Sequence, residues 1–389
     1  MIRRLNLLVF VALVACHAPQ PDFHTAATPP SHGLPGDVLR TEAFSGAPPN
    51  AKAFRILYGS TAPDGAPIVV SALVVVPPTA PPADGRPVLA WLHPTTGVAR
   101  ACAPTLGPDP FGQIQGLPAF LAAGYVVVAT DYPGLGSPGV HPYLIGASEA
   151  RAALDSVRAV QHLPEAQAGR RFAVWGHSQG GHAALFTAAT AVSYAPDLRL
   201  VGVAAAAPVT DIAALIEQPG RDPLWGGLLA YTVWSWSHVF GLDPAAILPQ
   251  ASGPAVAQAA QVCLETAQEL DHLVTNAAPL RGEPVTPQGQ WRTLLTENAP
   301  APWPTGVPVL LAQGDKDPII VPPLTWAFAR RLCRSGVPVR YLAMPGVDHY
   351  TAGVRSADAA AAWIADRFAG TTPPDDCGVF NRDEPATGR

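Results

Sequence analysis

The sequence predicts an α/β fold: a mostly parallel sheet with helices on both faces and a mainly helical insertion in the second half of the chain. Three observations carry that prediction. Short apolar runs at 88–92, 124–130, 172–175, 198–208 and 307–313 alternate with segments of helical periodicity. That is the pattern of strands buried on both faces by crossover helices. The run at 172–175 meets Gly176-His177-Ser178-Gln179-Gly180, and a helix-like segment starts at Gly181, so a strand turns sharply into a helix around a serine. Between 211 and 304 the rhythm stops, and Trp225, Trp234, Trp236, Trp291 and Trp303 sit among apolar helical stretches with few charges.

The 389 residues suffice for one large domain with an insertion, or for two domains. Hydrophobic residues make up 48% and charged residues 14%, with 45 prolines, which describes a globular chain with structured loops. The net charge of −5 and the lack of any basic cluster argue against nucleic-acid binding, which requires a positive face. Ile2-Arg3-Arg4 precede an apolar run at 5–15, too short to span a bilayer and of the right length for an export signal. The run ends Leu13-Val14-Ala15-Cys16, similar to a bacterial lipobox, in which the cysteine becomes the lipidated first residue of the mature protein. An ordinary cleavage site with an incidental cysteine is the alternative. The expected organisation is a signal peptide at 1–16, a flexible Pro-, His- and Thr-containing tether at 17–40, a core at 41–210 and 305–389, and an inserted cap at 211–304. The expected location is the cell envelope, through a lipid anchor in the membrane, or the secreted fraction. Without Cys16, four cysteines remain: Cys102, Cys263, Cys333 and Cys377. An even number in an exported chain implies two disulfides, and four cysteines allow three pairings. Free thiols buried as small hydrophobes are the competing reading.

After the tether, 54–59 and 68–76 read as an antiparallel hairpin around Ala62-Pro63-Asp64-Gly65. The first buried strand, 88–92, is followed by His93-Pro94-Thr95-Thr96-Gly97. A helix at 113–123 leads to the strand at 124–130, which closes in Asp131-Tyr132-Pro133-Gly134-Leu135-Gly136. Helical periodicity spans 148–162, and helix-like segments of the insertion lie near 223–240 and 254–278. The strand at 307–313 runs into Gly314-Asp315-Lys316-Asp317-Pro318. A helix at 324–335, a last strand at 339–343, the loop Pro345-Gly346-Val347-Asp348-His349-Tyr350 and a closing helix at 356–368 complete the core. Ser178, the 93–97 loop and Asp131 all fall at carboxyl ends of predicted strands, where open α/β sheets place their ligands.

A serine on such an elbow protrudes from the backbone, and glycines two residues to either side admit the close strand–helix approach that a Cβ would block. Ser178 is therefore the candidate nucleophile, with the helix N-terminus behind it available to a developing oxyanion. The required base must follow an acid in the order Ser, Asp or Glu, His. Of His182, His238, His272 and His349, only His349 sits in a loop after the last predicted strand. His182 is expected to point into packing and His177 to support the elbow. Asp317 is the preferred acid over Asp315, because it lies three residues past Gly314 and just before Pro318; Asp348 is too close to His349 to reach its ring. The backbone N–H groups of Gln179 and Thr95 are the candidate oxyanion donors, with Thr96 equally close in sequence. Neither an H-x-x-x-H nor a paired-cysteine spacing suggests a metal, and the chemistry calls for no cofactor. The apolar cap is expected to wall a pocket for a greasy acyl chain. A monomer is the expected state.

The stretches 91–97, 131–136 and 174–181, together with 314–317 and His349, resemble the secretory lipase family of α/β-hydrolases over residues 50–370. That resemblance implies an α/β-hydrolase fold, carboxylic-ester hydrolysis (a lipase or carboxylesterase acting on acylglycerols or similar lipophilic esters), a cap inserted before the acid loop, and two disulfides. By the same pattern the bridges are Cys102–Cys263 and Cys333–Cys377. The acid loop departs from the family pattern by one extra residue after Asp317. An acyltransferase, a serine peptidase and, in a different class, a non-enzymatic binding module on this fold compete with ester hydrolysis. No triad member is missing, which argues against the last.

Overall fold

The computed structural model describes residues 23–25, 34–217, 222–281, 285–303 and 306–380. Among the described residues nine strands form one sheet: β1 (Val38–Ala43), β2 (Lys52–Thr61), β3 (Pro67–Val76), β4 (Arg86–Leu92), β5 (Val126–Thr130), β6 (Ala168–His177), β7 (Arg199–Ala206), β8 (Val309–Gly314) and β9 (Val339–Met344). Their spatial order is β1-β2-β3-β5-β4-β6-β7-β8-β9. The first three strands are antiparallel, as is the β3–β5 pair, and everything from β5 through β9 is parallel. The α/β-hydrolase expectation is met.

The helices are α1 (Leu117–Ala122), α2 (Gly146–Gln161), α3 (Gln179–Tyr194), α4 (Ile212–Glu217), α5 (Trp225–Phe240), α6 (Gly253–Ala259), α7 (Ala267–Asn276), α8 (Gly289–Glu297), α9 (Pro322–Arg334), α10 (His349–Ala369) and α11 (Cys377–Phe380). Strand alternation sorts the core into two layers. Val88, Ala90 and Leu92 of β4 join Leu154 and Val157 of α2, Leu185 of α3 and Phe328 of α9. Leu89 and Trp91 face the other way, toward Phe120 of α1 and Trp363 and Ile364 of α10. That second layer continues without a break into Tyr231, Trp236 and Trp291 of the insertion, so the inserted helices share the core of one sheet face.

Three differences from the sequence reading stand out. β1 begins at Val38, inside the stretch read as a tether, and Phe23 of a 3-10 turn (Phe23–Thr25) is buried against Leu57 and Val69. Cys16 and the export signal lie outside the described residues. Only Leu117–Ala122 of the helix expected at 113–123 is helical. The single helix expected at 254–278 is two, α6 and α7, separated by a bent stretch that ends in the Thr266–Glu269 capping box of α7. There Cys263 is bonded to Cys102, and the Leu264 N–H donates to the Thr96 carbonyl at 2.8 Å. The second bridge joins Cys333 to Cys377, so both pairings implied by the family pattern are present.

Candidate functional site

β6 ends at His177, and Ser178 follows with φ 57° and ψ −116°, a conformation an L-residue adopts only under strain. The turn is fixed from both sides: the Ser178 N–H donates to the Ala206 carbonyl at 2.9 Å, and its carbonyl accepts from the His182 N–H at 3.0 Å. The neighbouring glycines are steric requirements. A Cβ on Gly176 would run into the Gly180 carbonyl, and one on Gly180 into the Leu92 carbonyl. The hydroxyl thus stands at the carboxyl end of the central strands with α3 starting directly behind it.

His349 opens α10 just past β9. Its Nε2 lies 2.9 Å from Ser178 Oγ, and its Nδ1 lies 2.8 Å from Asp317 Oδ2. A carboxylate can only accept, so Nδ1 carries the proton and the Nε2 lone pair faces the hydroxyl. Asp317 is held from behind, its Oδ1 accepting the N–H groups of Ile319 and Ile320 at 2.9 and 2.8 Å. Gln313 Nε2 approaches Oδ2 at 3.3 Å. All three members are nearly enclosed: Ser178 is 8% exposed, Asp317 4% and His349 5%.

The other candidates separate cleanly. Asp315 is exposed, and its carboxylate accepts the Gly346 N–H at 2.7 Å, shaping the neighbouring turn. Asp348 caps α10 through the Thr351 N–H. His238 and His272 are on the surface. His182 is buried between Glu149 and the Asn298 carbonyl, in packing as expected. His177 is buried with its ring centroid 4.9 Å from that of His349. Burial pushes it down to about 3, so it is neutral beside the triad. Thr95 lines the same cavity as Ser178, and its hydroxyl pairs with the Tyr143 hydroxyl at 2.8 Å. Thr96 has a fully buried hydroxyl and turns its carbonyl to Leu264. Gln179 is the first residue of α3, so its N–H has no acceptor within the helix. Asp131, at the end of β5, anchors structure instead: it accepts from Ser71 and from the Thr105 hydroxyl and N–H.

Two spaces meet at Ser178. A chamber of about 410 Å³ is bounded by Thr95, Gln115, Leu264, Leu270, His349 and Tyr350. On the other side lies a narrow crevice of about 40 Å³ walled by Val209, Ile212, Ile216, Trp225, Leu229 and Ile320. Among the described residues no Lys or Arg lines either. Trp225 faces the crevice, whereas Trp236 and Trp291 stack on each other and Trp303 packs in the opposite layer, so one insertion tryptophan walls the site while these three pack the core. The sequence reading named neither Tyr143 nor the two isoleucines after Asp317 as parts of the site, and no local pattern marks them. Among the described residues no group of three or more His, Cys, Asp or Glu side chains could hold a metal ion.

Residues 114–239 match the family model described as secretory lipase. Over 370 residues the chain is 28% identical to a probable inactive lipase of Mycobacterium tuberculosis, covering 87% of this chain and 80% of that one. Among solved structures it is similar to Candida antarctica lipase A, with TM-score 0.71, 21% identity and coverage of 89% and 84%. It is also similar to LipA of Xanthomonas oryzae, a rice cell wall degrading esterase, with TM-score 0.69, 21% identity and coverage of 87% and 99%. The resemblance drawn from the motifs is borne out by these comparisons, and the structural likenesses establish the fold.

Proposed function

We propose that this α/β-hydrolase-fold chain, similar to the secretory lipases, is a serine hydrolase that cleaves lipophilic carboxylic esters through an acyl-enzyme. The observation that carries the reading is the unbroken hydrogen-bonded series Asp317–His349–Ser178 at the meeting point of an apolar crevice and a wider chamber. In the first half-reaction Ser178 Oγ attacks the ester carbonyl carbon while His349 Nε2 takes the hydroxyl proton. Asp317 holds the ring in the receiving tautomer and stabilises the imidazolium. The N–H groups of Gln179 and Thr95 receive the oxyanion, each worth about 3 kcal/mol of transition-state stabilisation. Collapse of the tetrahedral intermediate breaks the bond to the alcohol oxygen, which leaves with the proton from His349. Water then repeats the sequence on the acyl-enzyme. The chamber of about 410 Å³, with Leu228, Leu264 and Leu270 in its wall, suits the acyl chain, and the crevice of about 40 Å³ suits only a small group. Two disulfides and the match to a secretory family mark an exported protein. The reading adds lipidation at Cys16 as its membrane anchor.

The similarity to a lipase named as inactive makes the direct assay decisive. Hydrolysis of p-nitrophenyl esters from acetate to palmitate is expected for the unaltered chain, with a loss of at least about a thousandfold in Ser178→Ala. Equal turnover by both, or none by the unaltered chain on any ester, overturns the proposal.

A further inference from the structure

Directly behind the elbow lies a group of buried polar side chains that touches neither cavity. Glu149 on α2 presents Oε2 to His182 Nδ1 at 2.6 Å and Oε1 to the Gln179 amide nitrogen at 2.9 Å. His182 Nε2 lies 2.8 Å from the Asn298 carbonyl, just past α8. Asn298 returns to α2, accepting the Gly146 N–H on Oδ1 at 3.0 Å. The Gln179 amide nitrogen also lies 3.2 Å from His141 Nε2, and His141 Nδ1 meets the Pro133 carbonyl at 2.9 Å. Glu149 and Gln179 are each 1% exposed, and His141 and His182 are fully buried.

The protons can be placed by chemistry. The Asn298 carbonyl only accepts, so His182 Nε2 carries a hydrogen. One further proton lies between His182 Nδ1 and the Glu149 carboxyl. Burial pushes His141 down to about 3, so it is neutral, donates from Nδ1 to Pro133 and accepts on Nε2. Both amide hydrogens of Gln179 are then engaged, which fixes its side chain. Replacing such a group by apolar side chains is often neutral or stabilising for a fold, so stability alone is a weak reason for one here.

We infer that Glu149 and His182 are positioning residues: they clamp Gln179, and with it the oxyanion side of the elbow, and tie that clamp to the end of the inserted segment at Asn298. The inference rests on the reading of the Gln179 N–H as an oxyanion donor. Gln179 supplies the backbone donor, and its side chain is the handle by which the clamp holds it. Loosening the handle leaves the Ser178–His349 hydrogen bond and both cavities in place while degrading the geometry that matters only at the transition state.

The test compares Glu149→Ala with Glu149→Gln in the full chain. A glutamine at 149 accepts from Gln179 and donates to His182 Nδ1, leaving the Nε2 hydrogen on Asn298. It should keep kcat within about threefold. Glu149→Ala should lower kcat at least tenfold with KM within about twofold, a fraction of the 10²–10³ that outright loss of a donor costs. Affinity for a trifluoromethyl ketone, which forms a tetrahedral adduct on Ser178, should weaken in parallel. Hydrogen exchange should quicken in peptides covering 176–186 and 290–300 in the Ala variant and not in the Gln variant. Should Glu149→Ala fail to fold, Gln179→Leu removes the handle while leaving the Glu149–His182 pair, and the same loss in kcat is expected. An unchanged kcat in the loosened variant, a loss confined to KM, or failure of Glu149→Gln to preserve activity overturns the inference. If the unaltered chain hydrolyses no ester, the hydrolase reading fails, and the exchange pattern alone still supports or refutes the clamp.

Discussion

Replacing Asp317 by asparagine tests the proton arrangement of the triad while barely disturbing its shape. Asp317 Oδ1 accepts two backbone N–H groups, from Ile319 and Ile320, at 2.9 and 2.8 Å. An asparagine must therefore put its carbonyl oxygen there and turn its NH2 toward His349 Nδ1. That nitrogen must then accept, which drives the ring proton to Nε2, the atom 2.9 Å from Ser178 Oγ. A protonated Nε2 cannot take the serine proton. The loss expected from a wrong tautomer is about 10⁴ in kcat, close to 5 kcal/mol of activation free energy. The new amide also faces the Gln313 Nε2 donor, now 3.3 Å from Oδ2, so a modest stability loss of about 1–2 kcal/mol accompanies it. Steady-state kinetics on p-nitrophenyl butyrate at pH 8, with urea unfolding alongside, reads both quantities. Asp315→Asn serves as the control and should stay within about twofold. Retention of a tenth or more of the activity in Asp317→Asn, or the large loss appearing in Asp315→Asn, refutes the reasoning.

Two further outcomes follow from the scaffold. The Cys102–Cys263 bridge closes a sequence separation of 161 residues, for which chain entropy gives about 5 kcal/mol and native bridges typically give about 2–5. Paired Cys102→Ser and Cys263→Ser substitutions should therefore lower unfolding free energy by several kcal/mol in urea titrations, and a change below about 1 kcal/mol would contradict that. Burial raises the Asp131 carboxyl to about 6, against the hydrogen bonds of Ser71 and Thr105 that oppose the shift. The folded state thus holds a proton there that the unfolded chain has released, so this group makes stability fall as pH rises from about 4 to about 6, with no further loss above. Asp131→Asn should flatten that part of the profile in urea midpoints taken at pH 4, 5 and 7; an unaltered slope would remove Asp131 as its source.

The sheet and the elbow were legible because their signals are local. β4, β5, β6 and β8 each contain an unbroken apolar run, at 88–92, 126–129, 172–175 and 309–312, and the glycines at 176 and 180 are demanded by contacts within a few residues or one strand away. His349 and Ser178 could be named because chain order and loop position leave few alternatives. β1 escaped because Val38–Ala43 is a half-exposed edge strand, with Arg40, Thr41 and Glu42 in its middle and no apolar alternation. Asp315 and Asp317 share one loop, and only the fold shows that the first turns toward Gly346 and the second toward His349. Glu149 and His182 are 33 residues apart on different helices, so their pairing has no sequence period at all. The break between α6 and α7 is marked locally by the Thr266–Glu269 capping box that starts α7, which apolar spacing alone does not read, and the bond of Cys263 to Cys102 lies within that break.

The inserted helices leave the sheet after β7 and rejoin it at β8, and they are also fastened midway, where Cys263 and Leu264 meet Cys102 and Thr96. A flap attached along one margin can swing like a door; one that is riveted near its centre as well cannot. The narrow slot is bordered by α4 and α5 and the broad one by α5 and α7, and Leu228 of α5 faces both. A displacement of α5 would therefore reshape both spaces at once.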